Sequence, residues 1–137
     1  MKFRLLTLFK SDLEIPMPDR RVAATELAEI FRITAHPDRI RLIEELRTEE
    51  KDVKTLSDQL GLPGSRVSQH LGLMKAHRIV EERREGRHHY YHLSQPEIAN
   101  WIIEGLLFVE GRLNGISKSA ISTARELWST DPGKESN

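Results

Sequence analysis

LSDQLGLPGSRVSQHLGLMKAH, residues 56–77, is the stretch that decides the fold. It reads as two short helices joined by a tight turn. Gly61 can take the left-handed conformation that ends a helix. Pro63, with its fixed φ and no amide hydrogen to lose, suits the opening of the next helix. In that second helix Val67, Leu71 and Met74, with Leu73 nearby, recur at helical spacing and predict a core-facing stripe. Ser65, Arg66, Ser68, Gln69 and His70 fill its first two turns and are expected to lie mostly away from the core. Such a set on the N-terminal half of a helix suits entry into a major groove and contact with base edges. The expectation is a helix-turn-helix with residues 65–77 as its recognition helix. An αα-hairpin that reads no nucleic acid has the same local signature, so the flanking sequence must decide.

After His77 the period changes. Residues 79–84 read as a strand, Glu85-Gly86 as a hairpin turn and residues 87–93 as a second strand rich in Tyr. A helix pair followed at once by a basic hairpin predicts a winged helix: mainly α, with a small β-hairpin wing. Arg83, Arg84 and Arg87 cluster at the wing tip, where they can grip phosphates or enter the minor groove, and Lys75 adds a cation late in the recognition helix. The chain carries 21 Lys and Arg against 21 Asp and Glu, so no global basic signature exists. The distribution is informative instead. From Arg66 to His92 six cations face three acids, a net +3; from Glu44 to Leu60 six acids face three cations, a net −3. A local basic face is what neutralisation of DNA phosphates needs, whatever the total.

Upstream, Asp19 is placed to cap a helix over residues 20–33, with Val22, Leu27, Ile30 and Phe31 facing inward. His36-Pro37-Asp38 interrupts it, and Pro37 starts a helix to about Arg47 with Ile40, Ile43 and Leu46 on one face. EEKD, residues 49–52, reads as a solvated loop, and Asp52 caps the first helix of the pair. Downstream, residues 95–114 form a strongly apolar helix with Ile98, Trp101, Ile102, Leu106 and Val109 on a stripe wider than one face. That much apolar surface in a small domain calls for a second body to pack on. A partner subunit is the simplest supply, so Leu27, Phe31, Ile98, Trp101, Ile102, Leu106 and Val109 are the expected homodimer surface. The domain reading is an N-terminal extension over 1–18, the winged domain with its dimerisation helices over 19–114, and a helical extension with a disordered tail over 115–137.

The chain of 137 residues is one domain long and has no cysteine, which removes disulfides, thiolate metal sites and thiol redox switching. The apolar run in MKFRLLTLFK is too short for a signal or a membrane span, so the reading is a cytoplasmic protein with no membrane partner. No Gly-rich phosphate loop and no nucleophile–base pattern is present, so neither an enzyme nor a cofactor is expected.

The sequence resembles the ArsR/SmtB family of small bacterial winged-helix repressors. The resemblance is carried by AHPDRIRLIEEL (35–46), by residues 56–77 and by VEERREGRHHYYHL (80–93), and covers about residues 24–109. It implies a homodimer that binds an inverted-repeat operator on double-stranded DNA, represses transcription and is released by an effector, often a metal ion. The family's metal sites do not carry over. The thiolate site would fall on Asp52 and Lys54, and the C-terminal-helix site near Gln95, Glu97, Phe108 and Gly111, where only Glu97 can ligate. No metal site is therefore expected, and the effector is open. His77 stands where the family usually has Gly, which predicts strain if the backbone there is left-handed.

Five of the six histidines lie between His70 and His92. On a strand His88 and His92 share a face about 13 Å apart, too far to chelate one ion. The predicted turn places Glu82 opposite His89 and allows a contact between them. His36 reads as a helix-start residue. The rival to a DNA-binding repressor is a winged-helix protein–protein module that uses the apolar C-terminal helix and the N-terminal segment.

Overall fold

The computed structural model describes residues 17–130; residues 1–16 of the extension read over 1–18, and the tail beyond Thr130, lie outside the described residues. The chain runs α1 (Met17–Thr34), α2 (Pro37–Glu45), β1 (Lys51–Asp52), α3 (Val53–Leu60), α4 (Gly64–Ala76), β2 (Val80–Glu85), β3 (His88–Leu93), α5 (Glu97–Arg112) and α6 (Gly115–Ser129). It divides into two units, one ending at Thr34 and the other beginning at Ala35.

The first unit is α1. Asp19 lies inside its first turn and does not cap it. Val22, Leu27 and Phe31 are exposed, which corrects the inward-facing expectation, and Ile33 is the buried residue of this helix. A 3.6-residue repeat marks an apolar face but does not say what covers it.

The second unit is built around one core. Leu42, Ile43 and Leu46 of the α2 segment, Leu56 of α3, Val67, Leu71 and Met74 of α4, Ile79, Val80 and Leu93 at the base of the wing, and Ala99 of α5 are all buried. Each short helix is fixed by its ends. His36 caps α2, with its Nδ1 accepting from the Asp38 amide at 3.0 Å. The Asp52 side chain caps α3 by accepting from the Thr55 amide at 2.8 Å. Gly61 ends α3 at φ 65°, where a Cβ would be strained. Pro63 sits one position before α4, and its carbonyl accepts the Val67 amide, so the recognition helix begins at Gly64.

The end of α4 differs from the sequence expectation. His77 is not left-handed, at φ −98°; Arg78 is, at φ 58°. The Ile79 amide donates to the Met74 carbonyl and the Arg78 amide to the Lys75 carbonyl, the paired bonds of a Schellman ending with Arg78 in the position glycine favours. The shift is one residue because the helix continues through Ala76 before it turns.

The sheet has the order β1-β3-β2, all antiparallel. Part of the expected EEKD loop is thus a strand: Lys51 pairs with Tyr91 and Asp52 with Tyr90. In the hairpin Glu85 pairs with His88 and Arg84 with His89, so the turn is Gly86-Arg87 and not Glu85-Gly86. Gly86 has φ 60° and Arg87 has no positive φ. Glycine first in a two-residue turn is the II′ preference, and it sets the register two residues away from the expected one. Glu82 therefore lies opposite Tyr91 and reaches His89 on the diagonal.

Beyond the wing, α5 and α6 pack on each other through the short Leu113-Asn114 link, and Arg125 donates to Glu110 at 3.1 Å. On α5, Trp101 and Val109 are exposed, whereas Ile98, Ile102 and Leu106 are half-buried. Phe108 and Ile116 are the most exposed large apolar side chains, at 79% and 90%. Among the described residues no helix is long and apolar enough to cross a membrane.

Candidate nucleic-acid interface

The recognition helix α4 sorts its side chains as a partly buried helix must. Val67, Leu71 and Met74 are fully buried, and Ser65, Arg66, Ser68 and Gln69 stand exposed on its first two turns. His70 departs from the expected pattern. Its side chain is only 13% exposed and turns toward the start of α2. Its Nδ1 accepts from Arg39 Nε at 3.3 Å, its Nε2 lies 3.4 Å from Asp38 Oδ2, and its ring lies 4.6 Å from that of His36. Burial and the nearby His36 hold the His70 imidazole below its ordinary pKa, against the opposing pull of Asp38. His70 is thus a link between α4 and α2 and does not project outward with Ser68 and Gln69. A periodicity argument could not find this, because His70 sits on the border of the buried stripe and its partners are over thirty residues upstream.

The wing tip stands beside the recognition helix. Ser68, Arg87, His88, His89 and Tyr91, with the Asp52–Lys54 segment, line one open groove of about 400 Å³. Glycine at the first turn position puts Arg87 on the tip itself. Arg66 and Arg87 have no acidic partner among the described residues.

Three further cations expected to contact DNA, Lys75, Arg83 and Arg84, are paired. Lys75 donates to Glu82 at 2.7 Å and Arg84 donates to the same carboxylate at 3.2 Å, with His89 Nδ1 also in contact. These three partners hold the Glu82 carboxyl at about 2, from an ordinary 4.5. Arg83 lies on the opposite face of the wing. It donates to Glu50 at 2.6 Å and to Glu85 at 2.8 Å, and its guanidinium stacks 4.7 Å over the Tyr90 ring. The acids raise the Arg83 pKa further, and Arg83 in turn holds Glu50 below the usual carboxylate range. His92 pairs with Glu81 at 3.0 Å. Of the five cations expected to contact DNA, Lys75, Arg83 and Arg84 therefore carry internal counter-charges that phosphates must displace.

The comparisons match this architecture. The family model described as bacterial regulatory protein, arsR family, matches residues 36–82, from the cap of α2 into the wing. The HTH-type transcriptional regulator KmtR of Mycobacterium tuberculosis is 31% identical over 103 residues, which cover 75% of this chain and 78% of that protein. The chain belongs to the ArsR family of bacterial regulatory proteins. It is a winged helix-turn-helix, DNA-binding transcriptional regulator. Among solved structures of ArsR-type regulators and related folds, the transcriptional repressor BigR from Xylella fastidiosa superposes with a TM-score of 0.59 at 28% identity, covering 69% of this chain and 96% of that one. The homodimeric winged helix-turn-helix DNA-binding domain of a Mycobacterium bovis protein superposes with a TM-score of 0.62 at 19% identity, covering 73% of this chain and 93% of that one. At that identity the second likeness speaks for the fold alone.

Proposed function

We propose that this ArsR-family protein is a cytoplasmic homodimeric repressor that binds an inverted-repeat operator. The observation that carries the DNA reading is the shared groove: Ser68 of the recognition helix and Arg87 of the wing tip line the same concave surface. Ser65, Arg66, Ser68 and Gln69 stand toward base edges or the adjacent phosphates, with Arg66 and Gln69 suited to bidentate contacts with guanine and adenine. Lys75, Arg84 and Arg87 grip the backbone, while Arg83 is held on the other face of the wing by Glu50 and Glu85. His70 holds the helix and reads no base.

Dimerisation is supported by apolar side chains left exposed on α1, α5 and α6, among them Leu27, Phe31, Trp101 and Val109. The likeness to the transcriptional repressor BigR favours the repressor role, and a homodimer occurs in the Mycobacterium bovis domain of the same fold. Two recognition helices would then meet successive major grooves about one helical turn apart. In this reading residues 19–114 form the functional domain, flanked by an N-terminal extension and the α6 segment.

The test is fluorescence anisotropy of the full chain on its own upstream DNA, against a scrambled duplex, with salt raised from low to physiological. Binding that prefers the upstream duplex and weakens steeply with salt is expected. Absence of binding to any duplex at low salt would overturn the reading in favour of a protein–protein module.

A further inference from the structure

His36, Asp38 and His70 each offer a ligating atom within 4.8 Å of the other two. They come from two elements, the capped start of α2 and the middle of the recognition helix, and all are partly buried. Asp38 Oδ2 lies 3.4 Å from His70 Nε2 and 4.0 Å from His36 Nδ1. Around a tetrahedral zinc ion, with bonds of about 2.0–2.1 Å, neighbouring ligand atoms sit about 3.3 Å apart. One edge of the triangle already has that length; the Asp38–His36 edge at 4.0 Å and the His36–His70 edge, within 4.8 Å, must both shorten on binding.

We propose that these three residues form a site for a late first-row divalent cation, Zn²⁺ or Co²⁺ in type, with water completing the coordination. Two imidazoles and one carboxylate suit such an ion, whereas Mg²⁺ and Ca²⁺ require more oxygen donors than the cluster supplies. The His70 Nε2 is buried and makes no well-formed hydrogen bond, its nearest acceptor being Asp38 Oδ2 at 3.4 Å, so an ion would give it a closer partner. His36 Nδ1 accepts the Asp38 amide and therefore carries no proton. Binding displaces two weaker interactions. The Asp38 amide gives up its cap acceptor, and the His70 proton moves to Nδ1, which ends the 3.3 Å bond from Arg39 Nε. The wing histidines are separate from the site, since His89 and His92 are engaged by Glu82 and Glu81. An ion here ties the recognition helix to α2 one residue from Gln69, so occupancy bears on where the exposed side chains of α4 stand.

The test uses the full chain without a histidine tag and without DNA, so its result is independent of the repressor reading. Co²⁺ is titrated by visible absorption and Zn²⁺ by calorimetry. The variants are His36→Gln, Asp38→Asn and a wing triple variant, His88→Gln with His89→Gln and His92→Gln. Circular dichroism confirms that each is folded; the two site positions are partly exposed and both replacements keep a polar side chain. One ion per chain is expected. Its affinity should fall by at least about tenfold in His36→Gln and in Asp38→Asn, no less than the loss seen when an outer-shell partner is removed. The wing variant should bind like the parent. Absence of saturable binding at one ion per chain, equal binding by the two site variants, or loss confined to the wing variant would each overturn the proposal.

Discussion

Lys75, in the last turn of the recognition helix, donates a 2.7 Å hydrogen bond to Glu82 on the first strand of the wing. The same carboxylate holds Arg84. One acid thus neutralises two cations on the proposed DNA-facing surface. Glu82→Gln should strengthen duplex binding at low salt and steepen the dependence of log K on log salt by about 1 for each cation recruited to a phosphate. Anisotropy across a salt series measures this; an unchanged slope would show that neither cation reaches the backbone.

Glu82 also makes the fold sensitive to acid. Its carboxyl titrates at about 2 in the folded chain, against an ordinary 4.5. A lowered carboxyl contributes stability that is complete above the unfolded pKa and lost as the pH falls through the folded one. The thermal midpoints of the wild type and Glu82→Gln should differ above about pH 4.5 and converge as the pH drops toward 2.

Two left-handed residues make opposite predictions about stability. Arg78 occupies the glycine-favouring position of the Schellman ending at φ 58°. Arg78→Gly should stabilise the chain by about 0.5–1 kcal/mol in urea unfolding. Gly61, at φ 65° between the two motif helices, should do the reverse, with Gly61→Ala costing about 1 kcal/mol or more.

Arg66 and Arg87 should separate specificity from affinity. Arg66→Ala is expected to relax discrimination between the upstream and scrambled duplexes, with a cost of about 1–3 kcal/mol on the preferred one. Arg87→Ala should weaken both duplexes about equally and lower the salt slope by about 1. If both variants bound like wild type, the groove would not be the DNA-facing surface.

Trp101 and Phe108 of α5 are 52% and 79% exposed. If that face joins two copies, Phe108→Asp should raise the dimer dissociation constant by an amount equivalent to about 2 kcal/mol or more and leave helix content intact. Sedimentation equilibrium reads the first and circular dichroism the second.

The buried stripe Val67, Leu71 and Met74, the Asp52 cap and the Gly61 stop were legible because each is written in local chemistry. What escaped depended on partners distant in sequence or on a choice between equivalent turns. Periodicity found the apolar face of α1, yet Val22, Leu27 and Phe31 are exposed, since a repeat does not name its partner. The turn falls one residue later than the local sequence suggests, because Gly86 suits either central position of a two-residue turn and the pairing of β2 with β3 selects the first. His70 looked like another outward polar residue, and only the folded chain brings it to Asp38. Spacing within one helix or strand could not have revealed a His36–Asp38–His70 cluster.

Asp52 has two tasks at once: it pairs with Tyr90 midway along the wing strand β3 and caps α3 with its side chain. No linker separates the two, so the wing and the helix pair form a caliper of fixed jaw width. In the proposed reading the length of DNA they span is set by the backbone, whereas the bases preferred within that span depend on a few exposed side chains early in α4. On that reading operator preference can be rewritten at residues 65–69 without moving the jaws.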